Sequence, residues 1–260
     1  IFMKKIILIS MMTCILPLSL SAMVCSGTMT ATTAGNGDIS KLDNSTHNDC
    51  VNADLVSWAI DKIHFYTDDF CTEGKQTLTF LGDITPAESD KQNYAGSPTL
   101  GSGSMPNGTY KCMAVRIWDN VTFSPTTDTT SGACDNETNY TTDLCGGAGT
   151  AGDPLVSYWD QDTGASANCT VDSAPASEWI WVYMSTASTD LDADDDCLNC
   201  DWNPPTSDNK TKGITLGAPL VISAAKTSVF KTDISNRIAD TTRFGGTGSC
   251  EMLKPAFTFE

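Results

Sequence analysis

The sequence predicts an all-β protein: an antiparallel β-sandwich, Ig-like, transthyretin-like or jelly-roll-like, stabilised by disulfides and carrying long loops. Three observations predict it. Short segments rich in β-branched and aromatic residues alternate apolar and polar with a period of two, and Gly, Pro, Asn or Asp bounds each of them. No stretch keeps a 3.6-residue apolar period over three turns. Of eleven cysteines, those from Cys50 to Cys250 are spread along the chain behind an N-terminal leader, as in proteins oxidised in a periplasm or outside the cell.

Taken in order, Lys4 and Lys5 form a basic n-region, Ile6 to Leu20 an apolar h-region, and Ser19, Ser21 and Ala22 a small-residue cleavage site. Residues 1–22 therefore read as a bacterial-type secretory signal, being too short and too small-ended for a span of about 20 residues. Residues 23–48 read as a flexible lead-in or tether, rich in Thr, Gly and Ser. Lipid attachment at Cys25 is the alternative export route, although Val24 stands where a lipobox takes a small residue. Residues 49–260 are then a single β-sandwich domain.

In ADLVSWAIDKIHFYTDD, Val56, Trp58 and Ile60 share one parity and Ile63 and Phe65 the other, which predicts a bulge near Asp61 and Lys62. QTLTFLGD predicts a short strand and AGSPTLGSGSMPNGT a turn region. The run TYKCMAVRIWDNVTFSP is the strongest strand signal: Met113, Val115 and Ile117 face one side, and Tyr110, Cys112, Ala114, Arg116 and Trp118 the other, with a break at Asp119 and Asn120. The Thr-, Gly- and Asp-rich middle predicts a long loop held by Cys134 and Cys145. LVSYWDQD, EWIWVYMST, GITLGAPLVISAA, TSVFKTDIS and PAFTFE complete the strands. In EWIWVYMST both faces are apolar, so it is expected to be doubly covered, with Trp179, Trp181 and Tyr183 on the inner face and Ile180, Val182 and Met184 on the other.

The blocks GSGSMPNGTYKCMAVRIWDNVTFSP, GITLGAPLVISAAKTSVFKTDIS and CEMLKPAFTFE resemble parts of uncharacterised exported bacterial β-sandwich domains. In those, a small-residue turn, Gly-Thr-Tyr and an alternating strand precede a late Leu-x-x-Pro and an acidic strand. The resemblance covers about a third of the chain. It implies the fold and export, and it carries no catalytic residues.

Removing Lys4 and Lys5 takes the net charge from -17 to -19. That sign disfavours nucleic acid and anionic lipid, both of which are bound through Lys and Arg; a protein or glycan at the cell surface is the expected partner. No second apolar run is long enough for a transmembrane span.

The candidate ion site is DLDADDDCLNCDW, where Asp190, Asp192, Asp194 and Asp196 stand at positions one, three, five and seven of a loop closed by Asp201. The spacing can wrap oxygens around calcium. Asp195 at position six and Asp201 at position twelve depart from the Gly and Glu of an EF-hand. The alternative is a solvated acidic loop. Cys197 and Cys200 have aspartate neighbours that disfavour a thiolate, and the chain offers only His47 and His64 as further zinc ligands, so they join Cys50, Cys71, Cys112, Cys134, Cys145, Cys169 and Cys250 as disulfide candidates. Spacing proposes Cys50 with Cys71 and Cys134 with Cys145. His64 reads as an ordinary strand residue, and no Gly-x-Ser-x-Gly turn is present. Trp202, beside the acidic loop, is a candidate for stacking on a ligand. Seven Asn-x-Ser/Thr sequons, from Asn44 to Asn209, read as a product of composition. The reading is a secreted or surface-exposed, non-catalytic structural or binding module. A carbohydrate-active hydrolase or carbohydrate-binding domain is the alternative.

Overall fold

The computed structural model describes residues 7–10, 50–95, 99–103, 105–129, 132–144, 154–170, 178–189, 202–210, 212–223, 230–235, 238–240, 250–252 and 256–259. The acidic loop Asp190, Asp192, Asp194, Asp196 and Asp201, together with Cys145, Cys197 and Cys200, lies outside them. Eleven strands position the site: β1 Ala53–Trp58, β2 Ile60–Tyr66, β3 Gln76–Thr79, β4 Gln92–Asn93, β5 Cys112–Trp118, β6 Asn120–Pro125, β7 Tyr140–Asp143, β8 Pro154–Asp160, β9 Ala165–Thr170, β10 Trp179–Ser185 and β11 Ile214–Thr215. They form a four-stranded sheet in the order β7-β6-β1-β4, a five-stranded sheet in the order β11-β10-β5-β2-β3, and the hairpin β8-β9. The described regular structure is all β apart from one short 3-10 turn at Glu88–Asp90.

The two alternating runs of the sequence are each cut in two and shared between sheets. β1 pairs antiparallel with β6 in one sheet, and β2 with β5 in the other. The chain passes from sheet to sheet at Ala59 and again at Asp119, and the Trp118 N–H donates to the Ala59 carbonyl at 3.0 Å across this corner. Bends where strands change sheets are how two packed sheets are joined at an edge. The expected bulge is present: Ile60 lies opposite Ile117 but Lys62 lies opposite Arg116, so Asp61 is the extra residue. It lets Ile60, Ile63 and Phe65 all face one side despite their change of parity.

That side is the main core, where Val56, Trp58, Val121 and Phe123 of the four-stranded sheet meet Ile63, Phe65, Met113, Val115, Ile180 and Val182 of the five-stranded one. Burial of such side chains contributes about 1.5–3 kcal/mol each. The opposite face of the five-stranded sheet is also covered. Tyr66, Cys71, Cys112, Ala114, Trp181 and Tyr183 form a second cluster, on which Tyr158 and Trp159 of the β8-β9 hairpin pack. The sequence expectation for β10 is thus corrected. Ile180, Val182 and Met184 face the space between the sheets, and Trp181 and Tyr183 face outward under the hairpin. Two apolar faces look alike in sequence, and only the position of the cover distinguishes them.

Among the described residues the antiparallel expectation fails twice: β11 pairs parallel with Met184 and Ser185 of β10, and the isolated bridge between Leu216 and Phe257 is parallel. The middle segment read as loop contains β7, which pairs with β6 from Asn120 opposite Asp143 to Phe123 opposite Tyr140. Outside these sheets, Leu220–Ile222 pairs with Gly108–Tyr110, Phe230–Asp233 with Ala256–Phe259, and Ile238–Asp240 with both Cys50–Val51 and Cys250–Met252. Ile7–Ser10, in the expected leader, pairs with Thr99–Gly103.

Both spacing-based disulfide pairings are overturned. Cys71 is bonded to Cys112, with Cα atoms 5.3 Å apart, and Cys134 to Cys250, with Cα atoms 5.0 Å apart. Sheet pairing brings distant segments together: the loop after β2 returns to the first residue of β5, and the segment before β7 reaches the end strand Cys250–Met252. Sequence distance carries no information about such contacts. No helix among the described residues is long and apolar enough to cross a membrane.

Candidate functional site

The outer face of the five-stranded sheet carries a cluster of five charged groups. The pleat places Lys62, His64 and Tyr66 on one row of β2, and Cys112, Ala114 and Arg116 on the adjoining row of β5. The bulge turns Asp61 toward the same place, where it is wholly buried. Its carboxylate accepts backbone N–H bonds from Gly82 and Asp83 at 2.9 and 3.0 Å, which fix the turn after β3. That turn supplies Asp83, and the tip of the β8-β9 hairpin supplies Asp162.

Three carboxylates converge on two cations. Lys62 Nζ lies 3.0 Å from Asp83, 3.1 Å from Asp162 and 3.6 Å from Asp61. Arg116 Nη1 donates to Asp61 at 2.9 Å and to Asp83, with Asp162 3.7 Å away. Burial works to lower the Lys62 pKa, but hydrogen bonds to Asp83 and Asp162 and the charge of Asp162 and Asp61 outweigh it and hold the ammonium above its usual range. Burial works in the opposite sense on Asp162, where the Lys62 bond and charge prevail and lower the carboxyl. Hydrogen bonds from Lys62 and Arg116 lower that of Asp83.

His64 sits beneath this network. Its ring stacks on Trp181 with centroids 4.8 Å apart, Nδ1 lies 2.9 Å from Thr77 Oγ1, and Nε2 lies 3.5 Å from Asp162 Oδ1. Burial first, then the charge of Lys75, pulls its pKa down to about 4, against the pull of Asp162. The imidazole is therefore neutral at pH 7. Further out along the same face the aromatics are tied to the hairpin: Trp181 Nε1 donates to Asp160 at 3.1 Å, Tyr66 to Gln161 at 2.8 Å, and the Tyr183 hydroxyl to the Trp159 carbonyl at 2.6 Å.

Chemically, this is a closed lattice of ions. Each of the three carboxylates has a cation within 3.1 Å. The lattice clamps the hairpin and the 80–83 turn onto the sheet. Only its rim, Asp83, Asp162 and the edge of Arg116, meets solvent. Trp179 stands beside it, half-buried, with the Arg116 guanidinium 6.0 Å from its ring centre and its Nε1 donating to the Ile84 carbonyl at 2.8 Å.

The sequence-predicted residues lie elsewhere. Trp202 is half-buried and packs against the main core, and its carbonyl accepts the Trp159 N–H at 3.1 Å. Cys71, Cys112, Cys134 and Cys250 are in disulfides. Cys50 and Cys169 lie in strands. Among the described residues no group of three or more His, Cys, Asp or Glu is arranged to hold a metal ion. Sequence reasoning missed Asp61, Lys62, Asp83, Arg116 and Asp162. A signal for the two cations was present, because a Lys and an Arg in the middle of otherwise apolar strands require buried partners. The chain matches no protein-family model, no curated protein and no solved structure.

Proposed function

We propose that the chain is an exported, non-catalytic surface module with a structural or binding role. The observation that supports this reading is the ion lattice on the outer sheet face: Asp61, Asp83 and Asp162 are each paired with Lys62 or Arg116, and the adjacent His64 is neutral. An acid-base pair for hydrolysis needs one carboxyl kept protonated and another kept free, and both Asp83 and Asp162 are instead held ionised by cations. The binding partner is a protein or glycan at the cell surface. Incubating the purified protein with a panel of soluble and immobilised polysaccharides tests this, with retention and released reducing ends both measured. Retention without release is expected; release abolished by Asp162→Asn would make the protein a hydrolase.

A carbohydrate-binding role is the second reading, favoured by half-buried Trp159 and Trp179 on the same side of the molecule as the rim carboxylates. Residues 190–201 are proposed as a calcium-ordered loop on the spacing of their aspartates. Chelator is expected to lower the melting temperature of the natural protein and not that of an Asp192→Ala, Asp194→Ala variant. Identical melting with and without chelator removes the ion.

A further inference from the structure

A second buried cation lies on the four-stranded sheet, away from the ion lattice. Lys91 directly precedes the edge strand β4, and its side chain, 4% exposed, runs across β1 toward the start of β6. Nζ lies over the Trp118 ring, 4.7 Å from its centre. It donates to Asn120 Oδ1 at 3.1 Å, to Thr122 Oγ1 at 2.7 Å and to Glu88 at 3.0 Å. Lys offers donors only, so the amide atom facing it is the oxygen. Asn120 is 2% exposed, and its Nδ2 is buried with no hydrogen-bond partner among the described residues. A native structure seldom leaves a buried donor in that condition without a reason.

From this geometry we propose that Lys91 and Asn120 join in an intramolecular isopeptide bond, catalysed by the fold itself. A C=O bond is about 1.2 Å long, so an Nζ at 3.1 Å from Oδ1 is within about 4.3 Å of the amide carbon. The two groups are held together in a site shielded from water by Trp118, which makes a normally slow reaction effectively unimolecular. Nζ forms a bond to Cγ, and the Cγ–Nδ2 bond breaks with its electron pair leaving on nitrogen. Of the three ammonium protons one stays on the new amide. The other two leave Nζ, the first to Glu88, the carboxylate in hydrogen-bond contact with it, and the departing Nδ2 gains two and leaves as ammonium. No oxidant or co-reactant is required. The unpaired buried donor is the atom expelled, so the product removes the one unsatisfied group of the reactant. The bond ties edge strand β4 to β6 across β1.

The test is a digest of the purified, reduced and alkylated full chain. Expected is a branched peptide joining the Lys91 segment to the Asn120 segment, one ammonia lighter than its two parts, with no tryptic cleavage after Lys91. In Asn120→Ala the branched peptide is absent and trypsin cuts after Lys91; in Glu88→Gln the branched fraction falls. A linear peptide ending at an unmodified Lys91 from the natural folded protein overturns the proposal, whether or not either variant folds. An ammonia loss located at the exposed Asn107-Gly108 pair instead of at Asn120 overturns it equally.

Discussion

Arg116 shows how much of this molecule depends on single side chains. It is the closest charged partner of Asp61, a carboxylate with no exposure to solvent. Removing one partner of a buried ion pair leaves the other charge uncompensated, at a cost of about 3–5 kcal/mol. Lys62, 3.6 Å from Asp61, remains as a partial substitute, so Arg116→Met should lose about 3 kcal/mol in urea unfolding. Asp61→Asn together with Arg116→Met should lose less than the sum of the two single changes, because the pair is removed as a unit. His64 gives the pH dependence. Its folded pKa is about 4 against an ordinary 6.5, so between those values the unfolded chain binds a proton that the folded chain refuses. Stability therefore falls as pH drops from 6.5 to 4, by at most about 3 kcal/mol. Asp83 and Asp162, both lowered from 3.8, add a further loss at lower pH as they are protonated and release Lys62 and Arg116. Melting temperature against pH should show both phases, and His64→Gln should remove the upper one alone. A curve unchanged by that substitution would mean the imidazole is not held neutral by the fold.

At the scale of elements, the short parallel strand β11 depends on the glycine before it. Gly213 has φ +76, and a Cβ there would stand 2.7 Å from Ser188 Oγ and 3.5 Å from the Tyr183 carbonyl. Gly213→Ala should cost about 1–2 kcal/mol through backbone strain and crowding. Measured in urea, a loss well below that would show that the backbone at Gly213 yields easily. The sequence makes the strands of this region legible, along with the bulge at Asp61 and the break at Asp119, because period-two alternation records which residues share a face. It groups Cys112, Ala114 and Arg116 on one side of β5, where the structure has them. Which sheet a strand joins is not encoded locally. Val56 and Phe65 are equally apolar, and their division between two sheets follows from the partners across the corner. The site is half legible for the same reason. Lys62 and Arg116 lie on strands whose faces can be read, whereas Asp83 and Asp162 arrive from a turn and a hairpin tip that lie 21 and 100 residues from Lys62.

At the scale of the molecule, two disulfides among the described residues hold long stretches of chain. Cys134 and Cys250 are 116 residues apart and Cys71 and Cys112 are 41 apart. Loop-closure entropy makes the longer link worth about 1 kcal/mol more, about 5 against about 4 kcal/mol. Replacing both Cys134 and Cys250 by Ala should therefore destabilise more than replacing both Cys71 and Cys112, as read by denaturant midpoint in the oxidised proteins. The reverse order would place the dominant effect of the cross-links in the folded state. The corner at Ala59 and Asp119 adds a different constraint. Since the strand pairs β1-β6 and β2-β5 are continuous through it, neither sheet can separate from the other while the backbone bond from Trp118 to Ala59 persists. Subglobal opening is thereby closed off as a route to solvent for the corner amides. The Trp118 N–H should exchange with deuterium only when the whole domain unfolds, and so more slowly than the amides of edge strand β3, which have a sheet neighbour on one side only.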